Sequence, residues 1–156
     1  MTYNFIADIE KFHAMYKLPQ PAFPTTEAVG KFQVRQVQFL DTLEEEVEEG
    51  ADLFDLAKNA KGYSVDLSLD KQKEMEVLVA MADWLGDMIV YCTSEASRYG
   101  IPIQAVLQVI MESNFSKLDE NGEPIIKNGK VQKGLNYFKP EPKIKELLEK
   151  HVRNAK

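Results

Sequence analysis

The stretch EVLVAMADWLGDMIVYC, residues 76–92, is apolar on nearly every side when wound as a helix. It belongs to a longer helical pattern over about 70–98, and a helix of that character is buried all round. Asp83 and Asp87 interrupt it, four residues apart and therefore on one face. Two like-charged carboxylates in apolar surroundings are costly unless something compensates them. An arginine or lysine partner, a local solvent gap or a bound cation would each serve.

The rest of the chain reads as helices around this one. Phe5, Ile9, Phe12 and Tyr16 mark a short helix over 4–17. The connector KLPQPAFPTT follows, extended by its prolines. A second helix starts at Thr25 or Thr26 and runs to about Glu49, with Val29, Phe32, Phe39, Leu40, Leu43 and Val47 as its apolar stripe. GADLFDLAKNA reads as a short helical turn and KGYSVDLSLD as a loop. Gly100 suits the left-handed position that ends the 70–98 helix, and Pro102 suits the first turn of a fourth helix over 102–117. That helix carries Ile103, Val106, Leu107 and Ile110 on one face. Asn128-Gly129 between two short β-compatible runs signals a two-residue hairpin within about 120–138. KPEP breaks the chain before a last helix over about 142–153. The expected architecture is one all-α domain over 1–156, a helical bundle with a small C-terminal β-hairpin.

Charge and composition narrow the partners. A net charge of −6 argues against a nucleic-acid or anionic-membrane binder. No run approaches the roughly 18 apolar residues of a membrane span. The N-terminus has neither the basic nor the apolar region of a secretory signal. One cysteine, Cys92, forms no internal disulfide, which fits a cytoplasmic protein, and its setting in MIVYC reads as a packed core thiol. His13 among aromatics reads as a packed, hydrogen-bonded residue, and Trp84 and Tyr91 read as core.

Five glutamates crowd positions 44–49, broken only by Val47. At 100° per residue Glu46 falls at the edge of the apolar stripe, Glu49 further round and Glu45 nearly opposite it. Glu46 and Glu49 can then face a neighbouring helix together, while Glu44 and Glu48 read as solvated charge. Two helices, each offering a carboxylate pair, make an all-oxygen set suited to Mg²⁺ or Mn²⁺. Other chemistries lack their residues. There is no HExxH, cysteine pair, GxSxG or P-loop.

EEVEE (Glu45 to Glu49) followed by DWLGDMIVY resembles the EExxE…ExxD signature of the all-α nucleoside triphosphate pyrophosphohydrolases, which include MazG-like proteins and dimeric dUTPases. YGIP, ESNFSKL, DENGEPIIKNGKVQKG and NYFKP are similar to the phosphoribosyl-ATP pyrophosphohydrolase-like branch. The likeness spans most of residues 5–140. Where the signature expects the second-motif glutamate, this chain has Trp84, with a carboxylate next door at Asp83.

The resemblance implies hydrolysis of an NTP or dNTP to the monophosphate and pyrophosphate, in a nucleotide-pool house-cleaning role, by a homodimer or higher homo-oligomer. Mg²⁺ or Mn²⁺ would lie on Glu46, Glu49, Asp83 and Asp87, with Glu45 and Glu46 as the catalytic residues, Glu45 orienting or deprotonating the attacking water. Asn114, Lys117, Lys130, Lys133 and Tyr137 would contact the substrate. A non-catalytic helical nucleotide-binding or regulatory module with the same fold is the alternative, and Trp84 is the departure that favours it.

Overall fold

The computed structural model describes residues 3–25, 30–60 and 71–153. Five helices and one hairpin follow in order: α1 (Phe5–Met15), α2 (Phe32–Ala60), α3 (Lys71–Arg98), α4 (Ile103–Phe115), β1 (Ile126–Lys127), β2 (Lys130–Val131) and α5 (Pro140–Arg153). The mainly helical fold with a two-stranded hairpin is the architecture expected from sequence. The chain divides into two compact units, one of residues 27–95 and one of residues 1–26 with 96–156. The expected cap at Thr26, stripe residue Val29 and the 61–70 loop lie outside the described residues.

The 27–95 unit is built on α2 and α3. The Trp84 indole Nε1 donates to the Glu46 carbonyl at 2.7 Å, and the Arg35 guanidinium meets the Glu95 carboxylate at 2.8 Å. Moving eleven residues forward on α2 moves eleven back on α3, so the two helices run antiparallel. The more shielded positions recur mainly at three and four: Arg35, Phe39, Thr42, Leu43, Glu46, Gly50, Leu53 and Ala57 on α2; Val77, Ala80, Trp84, Asp87, Met88 and Val90 along α3 as far as residue 90. That spacing is the signature of a helix–helix seam. The GADLFDLAKNA segment simply continues α2 to Ala60. Its one breaker, Gly50, is needed where the indole lies, since a Cβ there would come within 2.7 Å of Trp84 Cζ2.

Three expectations for α3 are corrected. Within this chain α3 is not buried all round: Met75, Leu78, Leu85 and Ile89 are exposed, because α2 covers only the opposite strip. Cys92 lies on this outer side and is exposed rather than packed. Glu74–Arg98 is also long and apolar enough to cross a membrane by length and composition, with a mean hydropathy of 1.3 over its most apolar window.

In the other unit, Asn4 caps α1 by accepting from Ala7 N–H. His13 is fully buried, its Nδ1 at 2.9 Å from the Pro19 carbonyl, so that nitrogen carries the proton. Gly100, at φ +64°, ends α3 in a Schellman arrangement: Ile101 N–H donates to Ala96 O and Gly100 N–H to Ser97 O. Asn128 and Gly129 both take positive φ, as a type I′ turn requires, and Ile126 pairs with Val131 across it. KPEP does not end a loop but starts α5, its prolines falling in the first turn where no N–H is needed.

Gly50→Ala tests the seam. Propensity alone favours alanine in a helix interior by about 1 kcal/mol, but the new methyl must displace the indole. Denaturant titration should find Gly50→Ala destabilised in the wild-type background and stabilised beside Trp84→Leu.

Candidate functional site

The seam holds charge at two places, and they are treated differently. At its outer end Arg35 and Glu95 neutralise each other, through Nε and Nη2 on one carboxylate oxygen. One helical stretch further along, Glu46 is 4% exposed and its Oε2 has no hydrogen-bond partner among the described residues. The carboxylates around it are Glu49, Asp87 and Glu45. Burial first, then these three charges, raises the Glu46 carboxyl above the ordinary glutamate range.

Tyr91 completes the group. It stands one turn beyond Asp87, and its phenol is raised by burial and then by Glu46, Asp87, Glu49 and Glu45. The sequence reading made Tyr91 core, yet it is 38% exposed beside the acids. The i,i+4 spacing of Asp87 and Tyr91 was the available signal. Trp84, also read as core, is half-buried and holds the Glu46 backbone instead.

Asp83 falls elsewhere. It is exposed and lines a cavity of 420 Å³ with Glu49, Asp52 and Trp84. The reason is helical phase: Trp84 faces α2, so Asp87, three residues on, turns toward the seam and Asp83 lies on its flank. Among the described residues no three Asp, Glu, His or Cys side chains form a ready-made metal-ligand group. Glu46, Glu49 and Asp87 offer hard oxygen donors, and an orphaned buried carboxylate oxygen among like charges is chemistry that a divalent cation satisfies.

The expected substrate residues lie in the other unit, and several of them pair there. Lys117 Nζ donates to Asn114 Oδ1 at 2.7 Å. Lys133 Nζ stands 4.5 Å over the Tyr137 ring. Lys130 opens β2 and is exposed. Ser113 Oγ donates to the Phe138 carbonyl, Ser116 Oγ accepts from Phe138 N–H, and Gly134 N–H donates to the Lys117 carbonyl. The two serines of SNFSK thus stitch the end of α4 to the chain beyond the hairpin. Sequence reasoning gave them no such role.

The chain is similar in fold to the crystal structure of a protein described as a "putative NTP pyrophosphohydrolase" from Exiguobacterium sp. 255-15, with a TM-score of 0.51 and 20% identity over all of both chains. No protein-family model and no curated protein matches it.

The raised Glu46 carboxyl carries a pH dependence. A folded state that favours the protonated acid has that contribution in full below the unfolded value near 4.5 and loses it as pH rises through the raised value. Glu46→Gln is neutral throughout. In chelator its melting temperature should exceed that of wild type at pH 8 by a few degrees, and the gap should close toward pH 4. A cationic partner for Glu46 would reverse the sign.

Proposed function

We propose that the chain is a metal-dependent nucleoside triphosphate pyrophosphohydrolase. The observation that carries this reading is the buried Glu46 carboxylate, whose Oε2 has no hydrogen-bond partner among the described residues, amid Glu45, Glu49 and Asp87 on two antiparallel helices, in a fold like that of the Exiguobacterium protein. Glu46, Glu49 and Asp87 would hold Mg²⁺ or Mn²⁺, with Asp83 as a further donor from the flank. When bound, the ion supplies neutralisation of the phosphates and a lowered pKa for an attacking water. Glu45, exposed beside the set, orients that water and accepts its proton.

The same proposal extends to Asn114, Lys117, Lys130, Lys133 and Tyr137 as substrate contacts. Lysines that act on developing phosphate charge affect turnover and not folding. Replacing Lys117, Lys130 or Lys133 by Ala should raise KM or lower kcat with little change in melting temperature. Unchanged kinetics in all three would remove them from the reaction.

Assembly is part of the reading. The outer strip of α3 and exposed Val34, Val37, Leu40 and Val47 on α2 leave more apolar surface than a lone chain carries comfortably. A second copy is the proposed cover, because Asp83 and Asp87 at mid-helix would be expensive in lipid. Light scattering should give twice the mass of one chain at micromolar concentration. A one-chain mass, or a protein that requires detergent, would count against a dimer.

The decisive experiment measures pyrophosphate release from a nucleotide panel with Mg²⁺ or Mn²⁺. Glu46→Gln and Asp87→Asn should abolish it. Metal should raise the wild-type melting temperature, by about 2.7 kcal/mol of added stability at a hundred times Kd, and raise that of the variants far less. Metal-dependent stabilisation without pyrophosphate release would favour the binding module.

A further inference from the structure

Every side chain proposed for the ion and the water is a carboxylate, and a carboxylate on a metal accepts hydrogen bonds and donates none. A phosphate chain brings oxygens of the same kind. Where it meets the ion, its remaining oxygens face these acids, and a donor between them is the missing element. The lysines proposed as substrate contacts belong to the other unit, so within residues 27–95 the donor must come from elsewhere. Arg35 is committed to Glu95 and Gln38. Tyr91 stands where a donor is needed. It lies on α3 between Trp84, which meets α2 at Glu46, and Glu95, which meets it at Arg35. It follows Asp87 by one turn and shares its face. Side chains on a helix lean toward its N-terminus. In an antiparallel pair the two leans oppose, so Tyr91 on α3 and Glu46 on α2 incline toward each other across the seam. The electrostatics agree: the charges acting on the phenol are those of Glu46, Asp87, Glu49 and Glu45. No hydrogen bond to a described residue is among the influences on it. The residue is 38% exposed, so a ligand can reach it.

We infer that Tyr91 is a further catalytic residue of this site, its phenol O–H donating a hydrogen bond to a non-bridging oxygen of the phosphate chain beside the metal. The inference rests on the pyrophosphohydrolase reading for its substrate class. The phenol keeps its proton throughout. Water forms the new bond to phosphorus and gives its proton to Glu45, and the electron pair of the broken P–O bond leaves on pyrophosphate. Tyr91 stabilises negative charge at a place where every neighbouring carboxylate opposes it. A neutral donor suits this position better than a cation. A lysine here would pair with the acids and compete with the metal, whereas a phenol leaves them free to bind it.

Tyr91→Phe removes the hydroxyl and keeps the ring. Calorimetry in saturating Mg²⁺ should show the wild-type protein binding inorganic pyrophosphate and Tyr91→Phe binding it about tenfold more weakly, the scale of one hydrogen bond to a charged group. Affinity for Mg²⁺ alone should agree within about twofold between the two proteins, since the phenol is not a ligand of the ion. In the nucleotide assay kcat/KM should fall by about tenfold or more. A role in packing gives a different pattern: Mg²⁺ affinity and melting temperature fall together, and pyrophosphate affinity follows them. That pattern would overturn the inference. So would equal pyrophosphate affinity in the two proteins, which is what a ring that only stacks predicts, or the absence of Mg²⁺-dependent pyrophosphate binding by wild type. Turnover that is the same in Tyr91→Phe removes the donor and leaves the reaction. Hydroxyl-dependent pyrophosphate binding by a protein that hydrolyses no nucleotide keeps the donor and removes the reaction.

Discussion

The indole of Trp84 fixes the register of the α2–α3 hairpin. Its N–H is spent on the Glu46 carbonyl and its ring edge occupies the space that Gly50 leaves by lacking a Cβ. Slip α3 by one residue and the indole leaves its groove, while Asp87 rotates about 100° away from Glu46. Everything proposed for the acids depends on that register. Trp84 is thus more than a missing glutamate at the motif position; it anchors the backbone of the neighbouring acid.

Two carboxylates sit in the same seam under opposite conditions, and the contrast is informative. Glu95 is matched by a guanidinium that reaches it through two nitrogens, so its burial is compensated within the chain. Glu46 is buried more deeply, and among the described residues the charges that act on it are Glu49, Asp87 and Glu45. The proposed metal would answer the second carboxylate as the arginine answers the first, at a place where local rules give way to a ligand.

Helix positions, the Gly100 stop and the Asn-Gly turn were legible because each depends on a few neighbouring residues and one steric rule. That Glu46 and Asp87 face the seam was legible for the same reason, through helical phase. What escaped the sequence depended on a second element. Asp83 looked equivalent to Asp87 until Trp84 fixed which side of α3 faces α2. Cys92 looked like core because apolar neighbours in sequence were taken for neighbours in space. Tyr91 became part of the acid group only once α2 lay across from it. Ser113 and Ser116 read as parts of a motif, whereas their hydroxyls hold Phe138, more than twenty residues on. Pro140 and Pro142 read as a break because proline interrupts a helix interior, whereas here both fall in the first turn of α5, where no N–H is needed.

The division of the chain also has a temporal meaning. Residues 27–95 form a contiguous unit, while the other is assembled from residues 1–26 and 96–156. During synthesis the first helix emerges long before the residues that complete its unit. The residues of the α2–α3 unit are all present as soon as α3 is made. Local contacts close faster than distant ones, and chains fold by units from the N-terminus as they are released. The unit that is begun first is therefore completed last. Residues 27–95 are whole before residues 1–26 gain the 96–156 segment that completes their unit.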